Sequence, residues 1–221
     1  MKKYALLTLT FVSLQTFQVT HTASFAHTMC NTLTSGSRAV AGYLFSKNGI
    51  KDLCAAYLTG MGITTLHEVG HALADKYFYG SPLDITIGAN YKSKKRPFIT
   101  VGPFKLGGFS PLSGYSSFSY NFQDGIPDNF PKTFAITSLA GPVFGFVASL
   151  GVFALLMKYT KTFYIAKAVS LIGLLNHTFG PVGIGAINVP GTDVCRVKKC
   201  MPYIQGHKQI NSPSDFYELI A

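Results

Sequence analysis

The sequence predicts a mostly α-helical, polytopic membrane protein in which a three-helix transmembrane core carries a small β-hairpin or sheet insertion. Three observations lead to this fold class. Hydrophobic residues make up 48% of the 221 residues and charged residues only 13%, against roughly 25% charged residues in a typical soluble domain. The apolar residues are concentrated in long runs, and one stretch with β-favouring composition separates the first two runs. A chain of this length accommodates a single domain with a sizeable core.

The first 26 residues have the organisation of an export signal. Lys2 and Lys3 precede a short apolar run, and small residues near Ala26 offer a cleavage site. An uncleaved amino-terminal anchor helix is the alternative. In either case residues 1–26 are set apart from the fold, and residues 27–200 are expected to form the membrane-embedded core.

Three later runs are long enough to cross the roughly 30 Å hydrocarbon layer as helices. They cover residues 53–78, 134–157 and 163–189. In the first run, Glu68 is the only formally charged side chain between Asp52 and Asp75, and the second run has none. Gly180-Pro181 interrupts the third run. The end of that run is therefore expected to unwind, as backbone does at membrane depth where it lines a cavity or a site.

Residues 83–120, between the first two spans, favour β structure. Short β-branched stretches such as Ile85-Thr86-Ile87 alternate with glycine- and serine-rich turns, which predicts a small sheet or a hairpin. The proline-containing segment 123–132 is expected to be a loop. Residues 201–221 are polar and are expected to form a tail outside the membrane.

The distribution of basic residues predicts an orientation in the bilayer. Lysine and arginine outnumber acidic residues 19 to 9, for a formal charge of +10. They lie mainly beside the apolar runs, which indicates a lipid bilayer rather than a nucleic acid as the partner. The clusters after the first and third spans are expected to be cytoplasmic: Lys92, Lys94, Lys95, Arg96 and Lys105, and Arg196, Lys198 and Lys199. This predicts a multi-pass protein of a bacterial-type inner or plasma membrane, although Lys158 and Lys161 would then lie on the outer side.

The four cysteines are too few and too scattered for a disulfide framework. They are Cys30, Cys54, Cys195 and Cys200. We expect ordinary thiols, and a bridge between Cys195 and Cys200 or to Cys30 is the alternative on an oxidising side of the membrane.

The segment His67-Glu68-Val69-Gly70-His71 carries the clearest chemical pattern in the chain. Residues four apart share one face of a helix, so both imidazoles can bind one metal ion, and Glu68 then lies beside a water on that ion. We expect Zn²⁺ as cofactor, His67 and His71 as ligands, and Glu68 as the catalytic general base. Two satisfied core histidines without a metal are the alternative. An ionisable trio in an apolar span is costly, however, and indicates function.

A hydrolytic zinc site needs a third protein ligand and an open position. Asp193 is the expected ligand, because it lies just past the third span and the two histidines lie in the last third of the first span. These residues therefore reach the same cytoplasmic depth. His177 is the alternative third ligand, but it precedes Asp193 by about four helical turns and lies nearer the middle of the membrane. Asp75 could orient His71 or serve as a plain interfacial charge.

Four segments in a fixed order carry a family resemblance. They are His67-Glu68-Val69-Gly70-His71-Ala72-Leu73, Phe104-Lys105-Leu106-Gly107-Gly108-Phe109, Ala140-Gly141-Pro142 and Asn188-Val189-Pro190-Gly191-Thr192-Asp193. In this order they resemble the active-site helix, the glycine-pair hairpin, the start of the second core helix and the metal-binding aspartate segment of the site-two protease family of intramembrane zinc metalloproteases. The resemblance covers about residues 50–200. The chain departs from the family at Val194, where a glycine is usual, and at Gly145, where an asparagine is frequent.

The resemblance implies an intramembrane zinc endopeptidase that hydrolyses membrane-protein or signal-type peptide substrates, and the basic clusters place its zinc site toward the cytoplasmic side. It also implies substrate contacts at Gly107, Gly108 and Asn188. The glycine pair would sit in a hairpin that accepts an unwound substrate as an added strand, and a simple tight turn is the alternative. Small residues are expected to let the helices approach closely: Gly60, Gly62, Gly70, Gly141 and Gly145.

Two other functional classes are compatible with the same residues. A secreted or peripheral zinc metallopeptidase would work in water, and the charge-free second span argues against it. A non-catalytic membrane scaffold or degenerate protease would bind helices without cutting, and the intact Glu68 argues against it. A metal transporter would need more ionisable residues along a path than the spans contain.

Overall fold

The computed structural model describes residues 36–89, 97–111, 113–117, 126–178 and 192–210, together with Asp215. The expected leader, 1–26, and Cys30 lie outside these residues. The chain divides into two compact units, Met1–Leu53 and Cys54–Ala221. In the first unit, residues 36–44 are helical, and the Tyr43 hydroxyl donates a 2.8 Å hydrogen bond to the buried carboxylate of Asp52.

Four longer helices account for most of the described residues. They are α1, Lys47–Tyr79; α2, Phe130–Tyr159; α3, Tyr164–Thr178; and α4, Asp193–Ile204. In the second unit, α2 packs against both α3 and α4. The structure therefore confirms the coarse prediction of a mostly helical protein with a small sheet.

The β-favouring region between α1 and α2 forms a four-stranded sheet. Its strands are β1, Ile85–Ile87; β2, Ile99–Val101; β3, Phe104–Leu106; and β4, Gly114–Ser116. The strand order is β2-β3-β1-β4; β1 and β3 are parallel, and the other two pairings are antiparallel. An ion pair of 2.6 Å joins Lys105 on β3 to Asp84 just before β1. This confirms the predicted insertion and leaves β2 and β4 as the edges of the sheet.

Helix α2 begins earlier than the sequence analysis predicts. Residues 123–132 were expected to form a loop, but the helix starts at Phe130 with Pro131 in its first turn. Proline is favourable there because the first helical N–H groups need no partner within the helix. The predicted second span, 134–157, lies within this helix, and Pro142 lies in the helix interior.

A small conventional core forms at the amino-terminal end of α2. Phe130, Phe134, Ala135 and Cys200 are buried together, and Tyr79 from the end of α1 packs against them. Since Cys200 belongs to α4, which ends at Ile204, the predicted boundary between core and tail at residue 200 falls inside a helix. Cys54, Cys195 and Cys200 are free thiols, as expected. Burial raises the pKa of the Cys200 thiol to about 12.

Among the described residues, α2 alone is both long and apolar enough to cross a membrane. The sequence predicts three membrane-crossing helices, and the combination of length and apolar composition supports the one at α2. Helix α1 has the length, but its hydroxyl, glycine and site residues make it less apolar. Helix α3 ends at Thr178, and the remainder of the predicted third span, with Gly180-Pro181, lies outside the described residues.

Candidate metal centre

One face of α1 presents the two histidines of the sequence motif. His67 and His71 are one helical turn apart, and their rings meet edge to face with centroids 4.8 Å apart. His67 and Glu68 are each only 8% exposed. The helix spacing therefore brings both imidazoles to one buried point, as the sequence predicts.

Asp193, the first residue of α4, completes a triangle with the two histidines. The Nε2 atoms of His67 and His71 are 3.2 Å apart, and Asp193 Oδ2 lies 3.4 Å and 3.3 Å from them. Ligand atoms about 2.0–2.1 Å from a tetrahedral zinc ion lie about 3.3–3.4 Å from one another. The three atoms thus have the spacing of one face of a tetrahedron, and this group can hold a metal ion.

The protonation pattern of the histidines supports a cation at this point. The Nδ1 atom of His71 lies 2.7 Å from the Thr137 carbonyl oxygen, which can only accept, so Nδ1 carries the proton. In the neutral form of this ring, the Nε2 atom then points a lone pair toward Asp193. Acceptor atoms that converge in a buried site require a cation or an added proton between them. A metal ion meets this requirement for all three at once.

Three features of the structure hold Asp193 in place. Thr192 caps α4, its side chain accepting a 3.3 Å hydrogen bond from the backbone N–H of Cys195, and a carboxylate in the first turn suits the helix dipole. Arg196 approaches the other carboxylate oxygen, Oδ1, at 3.6 Å, which leaves Oδ2 for the histidines. Burial alone would raise the pKa of Asp193; in the metal-free protein, added protons on His71 and His67 would supply the charge and hydrogen bonds that hold that pKa well below its usual range.

His177, the alternative third ligand, lies next to the centre but on its far side. Its Nε2 atom is 3.2 Å from Nδ1 of His67, the ring nitrogen that does not face Asp193. The group of converging ligand atoms therefore contains Asp193 and omits His177. Of the two candidates, the geometry favours the aspartate as the third ligand.

Glu68 lies between the centre and the sheet. Its buried carboxylate interacts electrostatically with His71, His67 and Asp193, and it accepts a hydrogen bond from the backbone N–H of Ser116 on β4. A β-carbon at Gly114 would approach the Glu68 side chain to 3.0 Å, so the strand passes directly over it. The general base expected from the sequence is thus oriented by an edge strand.

Gly107 and Gly108, which the sequence predicts as substrate contacts, directly follow strand β3 of the sheet. The Gly107 N–H already donates to the Ile87 carbonyl at 2.9 Å, and Gly108 packs so closely against Gly88 that a β-carbon would overlap its carbonyl. The glycine pair therefore extends the interior of the sheet, and its N–H at 107 is not free to pair with a substrate. Asn188 lies outside the described residues.

Several residues that shape the centre escaped the sequence analysis. Thr137 and Ser116 contribute through backbone atoms, and the role of a backbone atom cannot be inferred from the type of side chain. Arg196 was counted only as a basic residue near the membrane, although its position three residues after Asp193 is a helical pairing distance. Asp75 was considered as a partner of His71, but the carbonyl of Thr137 takes that role.

Close helix contacts make room for the imidazoles. A β-carbon at Gly70 would overlap the Ala140 carbonyl, and one at Gly141 or Gly145 would overlap the ring of His71 or His177. These three glycines confirm the predicted close approach. Gly62 has nothing within 4 Å of where its β-carbon would be, so for this residue the prediction is wrong.

Comparison of the chain with family models, curated proteins and solved structures finds no match. The functional assignment therefore rests on the geometry of the centre and on the order of the sequence motifs.

Proposed function

We propose that this protein is an intramembrane zinc endopeptidase that cleaves membrane-spanning or signal-type peptide substrates. The observation that carries the proposal is the triangle of His67 Nε2, His71 Nε2 and Asp193 Oδ2, with edges of 3.2–3.4 Å. Two imidazoles and one carboxylate leave a fourth tetrahedral position open, which is the pattern of hydrolytic rather than structural zinc sites.

The chain's own groups are arranged for general acid–base chemistry. His67, His71 and Asp193 would hold the ion, which when bound supplies a Lewis acid and lowers the pKa of water. Glu68 is a buried carboxylate beside this group that is not needed as a ligand. It would take the proton from the attacking water and pass it to the leaving amine. The Ser116 N–H would hold Glu68 in position for both transfers.

Exposed aliphatic side chains support a multi-pass arrangement in the membrane. Leu58 and Leu66 on α1, Val147 and Leu155 on α2, and Ile172 on α3 are 43–68% exposed. Large apolar surface of this kind on three helices suits contact with lipid and would be a liability in water. This disfavours the alternative of a soluble-type zinc metallopeptidase. The basic residues of α4, beside the centre, are consistent with a cytoplasmic location for the site.

Strand β4 is the structural element best suited to hold an unwound substrate. It is an edge of the sheet, and its pairing with β1 sets Tyr115 opposite Thr86. Residues on either side of Tyr115 direct their backbone groups away from β1, and one of these groups, the Ser116 N–H, reaches Glu68. The Ser116 N–H is already used by Glu68, so a peptide added along this edge would pair with the other outward-facing backbone groups of β4 and lie beside the general base. This edge replaces the glycine pair at 107–108 as the proposed substrate contact.

The decisive variant is Glu68→Gln, because it preserves size and leaves all three ligands in place. Wild type and variant are purified in detergent, and zinc content is measured together with cleavage of labelled single-span substrates. We expect both proteins to bind zinc and only the wild type to cut. Equal cleavage by both would remove Glu68 from the mechanism, and binding of zinc without cleavage by either would favour the non-catalytic scaffold.

A further inference from the structure

His177 contacts the proposed centre without belonging to its ligand set. Its ring lies 5.3 Å from that of His67, centroid to centroid, with Nε2 3.2 Å from His67 Nδ1. A ring that merely filled space would not need a polar atom at hydrogen-bond distance from a buried imidazole. The contact is therefore a hydrogen bond with a defined donor and acceptor, and it affects the nitrogen of His67 that faces the metal site.

The direction of the contact follows from a backbone carbonyl. His177 Nδ1 lies 2.6 Å from the carbonyl oxygen of Gly173, one turn earlier on α3. A carbonyl can only accept, so Nδ1 of His177 carries the proton and its Nε2 presents a lone pair. That lone pair requires a donor, and the facing atom is Nδ1 of His67. In the neutral ring of His67 the proton is therefore on Nδ1, and Nε2 is left unprotonated.

The consequence concerns the atom that faces Asp193. With the other tautomer, a proton on His67 Nε2 would point into the triangle formed with His71 and Asp193, where a metal ion would have to bind. Which imidazole nitrogen binds a metal is determined by the hydrogen bond that the other nitrogen makes. The Gly173 carbonyl thus acts on the centre through two rings in sequence.

We propose that His177 is a positioning residue that fixes His67 in the tautomer able to bind metal. The inference rests on the proposed metal centre and adds a residue to it. The two ligand imidazoles are then oriented in parallel ways: His71 by the Thr137 carbonyl directly, and His67 by the Gly173 carbonyl through His177.

Helix α2 accommodates both of these rings in the same manner. A β-carbon at Gly145 would overlap Nε2 of His177, just as one at Gly141 would overlap Nε2 of His71. The two glycines are one helical turn apart, so the same face of α2 seats both rings. The position of His177 is therefore defined by packing as well as by its two hydrogen bonds.

The test compares His177→Phe, which keeps a ring but has no acceptor, with His177→Gln, whose amide oxygen can accept from His67 Nδ1–H. Zinc affinity is measured by chelator competition, and the visible spectrum of the Co²⁺-loaded protein is recorded. We expect His177→Phe to weaken binding about 10–100-fold, as is typical when a partner that orients a ligand is lost. His177→Gln should recover most of the affinity and the Co²⁺ spectrum. His207→Phe, an exposed histidine in the tail, is the control and should change neither.

Nitrogen NMR of the metal-free protein separates this inference from the metal centre itself. We expect His67 to be protonated on Nδ1 in the wild type and in His177→Gln, and on Nε2 in His177→Phe. Wild-type zinc affinity together with an unchanged His67 tautomer in His177→Phe would overturn the inference while leaving the metal centre intact. A wild type that shows the expected tautomer but binds no metal would refute the proposed function and leave the hydrogen-bond relay standing.

Discussion

Gly141 lies directly against the imidazole of His71, so closely that a β-carbon at this position would overlap the ring's Nε2 atom. One turn earlier on the same helix, the Thr137 carbonyl accepts the proton of His71 Nδ1 at 2.7 Å. Helix α2 therefore does two things for one ligand. It gives the ring space where a side chain would intrude, and it fixes which nitrogen carries the lone pair.

Gly141→Ala should abolish stoichiometric metal binding, because the added methyl group displaces the metal-facing nitrogen of His71. The matched control is Gly151→Ala on the same helix, where nothing lies within 4 Å of the new β-carbon. Gly151→Ala should bind metal normally and be neutral or stabilising by about 0.5–1 kcal/mol, since alanine is the better helix former. Zinc content and thermal unfolding in detergent check both. Normal zinc binding by Gly141→Ala would contradict the described packing.

Arg196→Gln should weaken metal binding without abolishing it. The guanidinium lies 3.6 Å from Asp193 Oδ1 and biases the carboxylate to present Oδ2 to the histidines. Loss of a partner that orients a ligand commonly weakens affinity by 10–100-fold, and we expect about 10-fold for this partly exposed ion pair. Chelator competition measures the change. Lys132→Gln removes the same charge from an exposed position and should have no effect; equal weakening by both variants would indicate a general charge effect instead.

Val147→Lys distinguishes a helix in lipid from a helix in water. Val147 lies near the middle of α2 and is 61% exposed. On a soluble protein a lysine there would change stability by no more than about 0.5 kcal/mol. At the centre of a membrane span it should cost about 2.5–3.5 kcal/mol of insertion free energy. Membrane-integrated yield is the readout, and Tyr159→Lys, at the exposed end of the same helix, is the tolerated control. Normal membrane integration of Val147→Lys would argue against a transmembrane α2.

Cys200 should resist alkylation in the folded protein. Its side chain is fully buried in the core around Phe130, and burial raises its pKa to about 12, so at pH 8 the reactive thiolate is scarce. Iodoacetamide should react about a thousandfold or more slowly than with an ordinary thiol. A variant that retains only Cys200 isolates its signal, and denaturation should restore full labelling. Rapid labelling without denaturant would contradict the packing of α4 on α2.

The sequence predicts those parts of the centre that depend on local periodicity. The spacing of His67 and His71 on a helix requires no tertiary information, and Asp193 follows from matching depths along two spans. The small sheet is likewise predicted by alternating β-branched and glycine-rich stretches. The structure brings these three residues together and forms the sheet, and each of these features depends on residues that are close in the chain or on one simple geometric constraint.

The features that sequence could not supply depend on contacts between distant elements. Packing between helices and strands determines three of these contacts: the Thr137 carbonyl with His71, the Ser116 N–H with Glu68, and the ring of His177 with Gly145. The first two involve backbone groups, which are the same for every residue type and so cannot be recognised in a sequence. The helix start at Phe130 differs from the predicted loop for another reason: prolines in a sequence commonly indicate a loop, but Pro131 suits the first turn of a helix. In the same way, the glycine pair at 107–108 suggested an exposed edge, whereas strand order places it inside the sheet.

The proposed mechanism depends most directly on a metal ion shared by His67, His71 and Asp193. Its sharpest test is the zinc content of the purified protein after gentle reconstitution, measured by elemental analysis beside Asp193→Asn and the control Asp84→Asn, whose carboxylate pairs with Lys105 away from the centre. We predict one zinc per chain in the wild type and in Asp84→Asn, and a large loss in Asp193→Asn. A wild-type protein that carries no stoichiometric metal after this treatment would contradict the account.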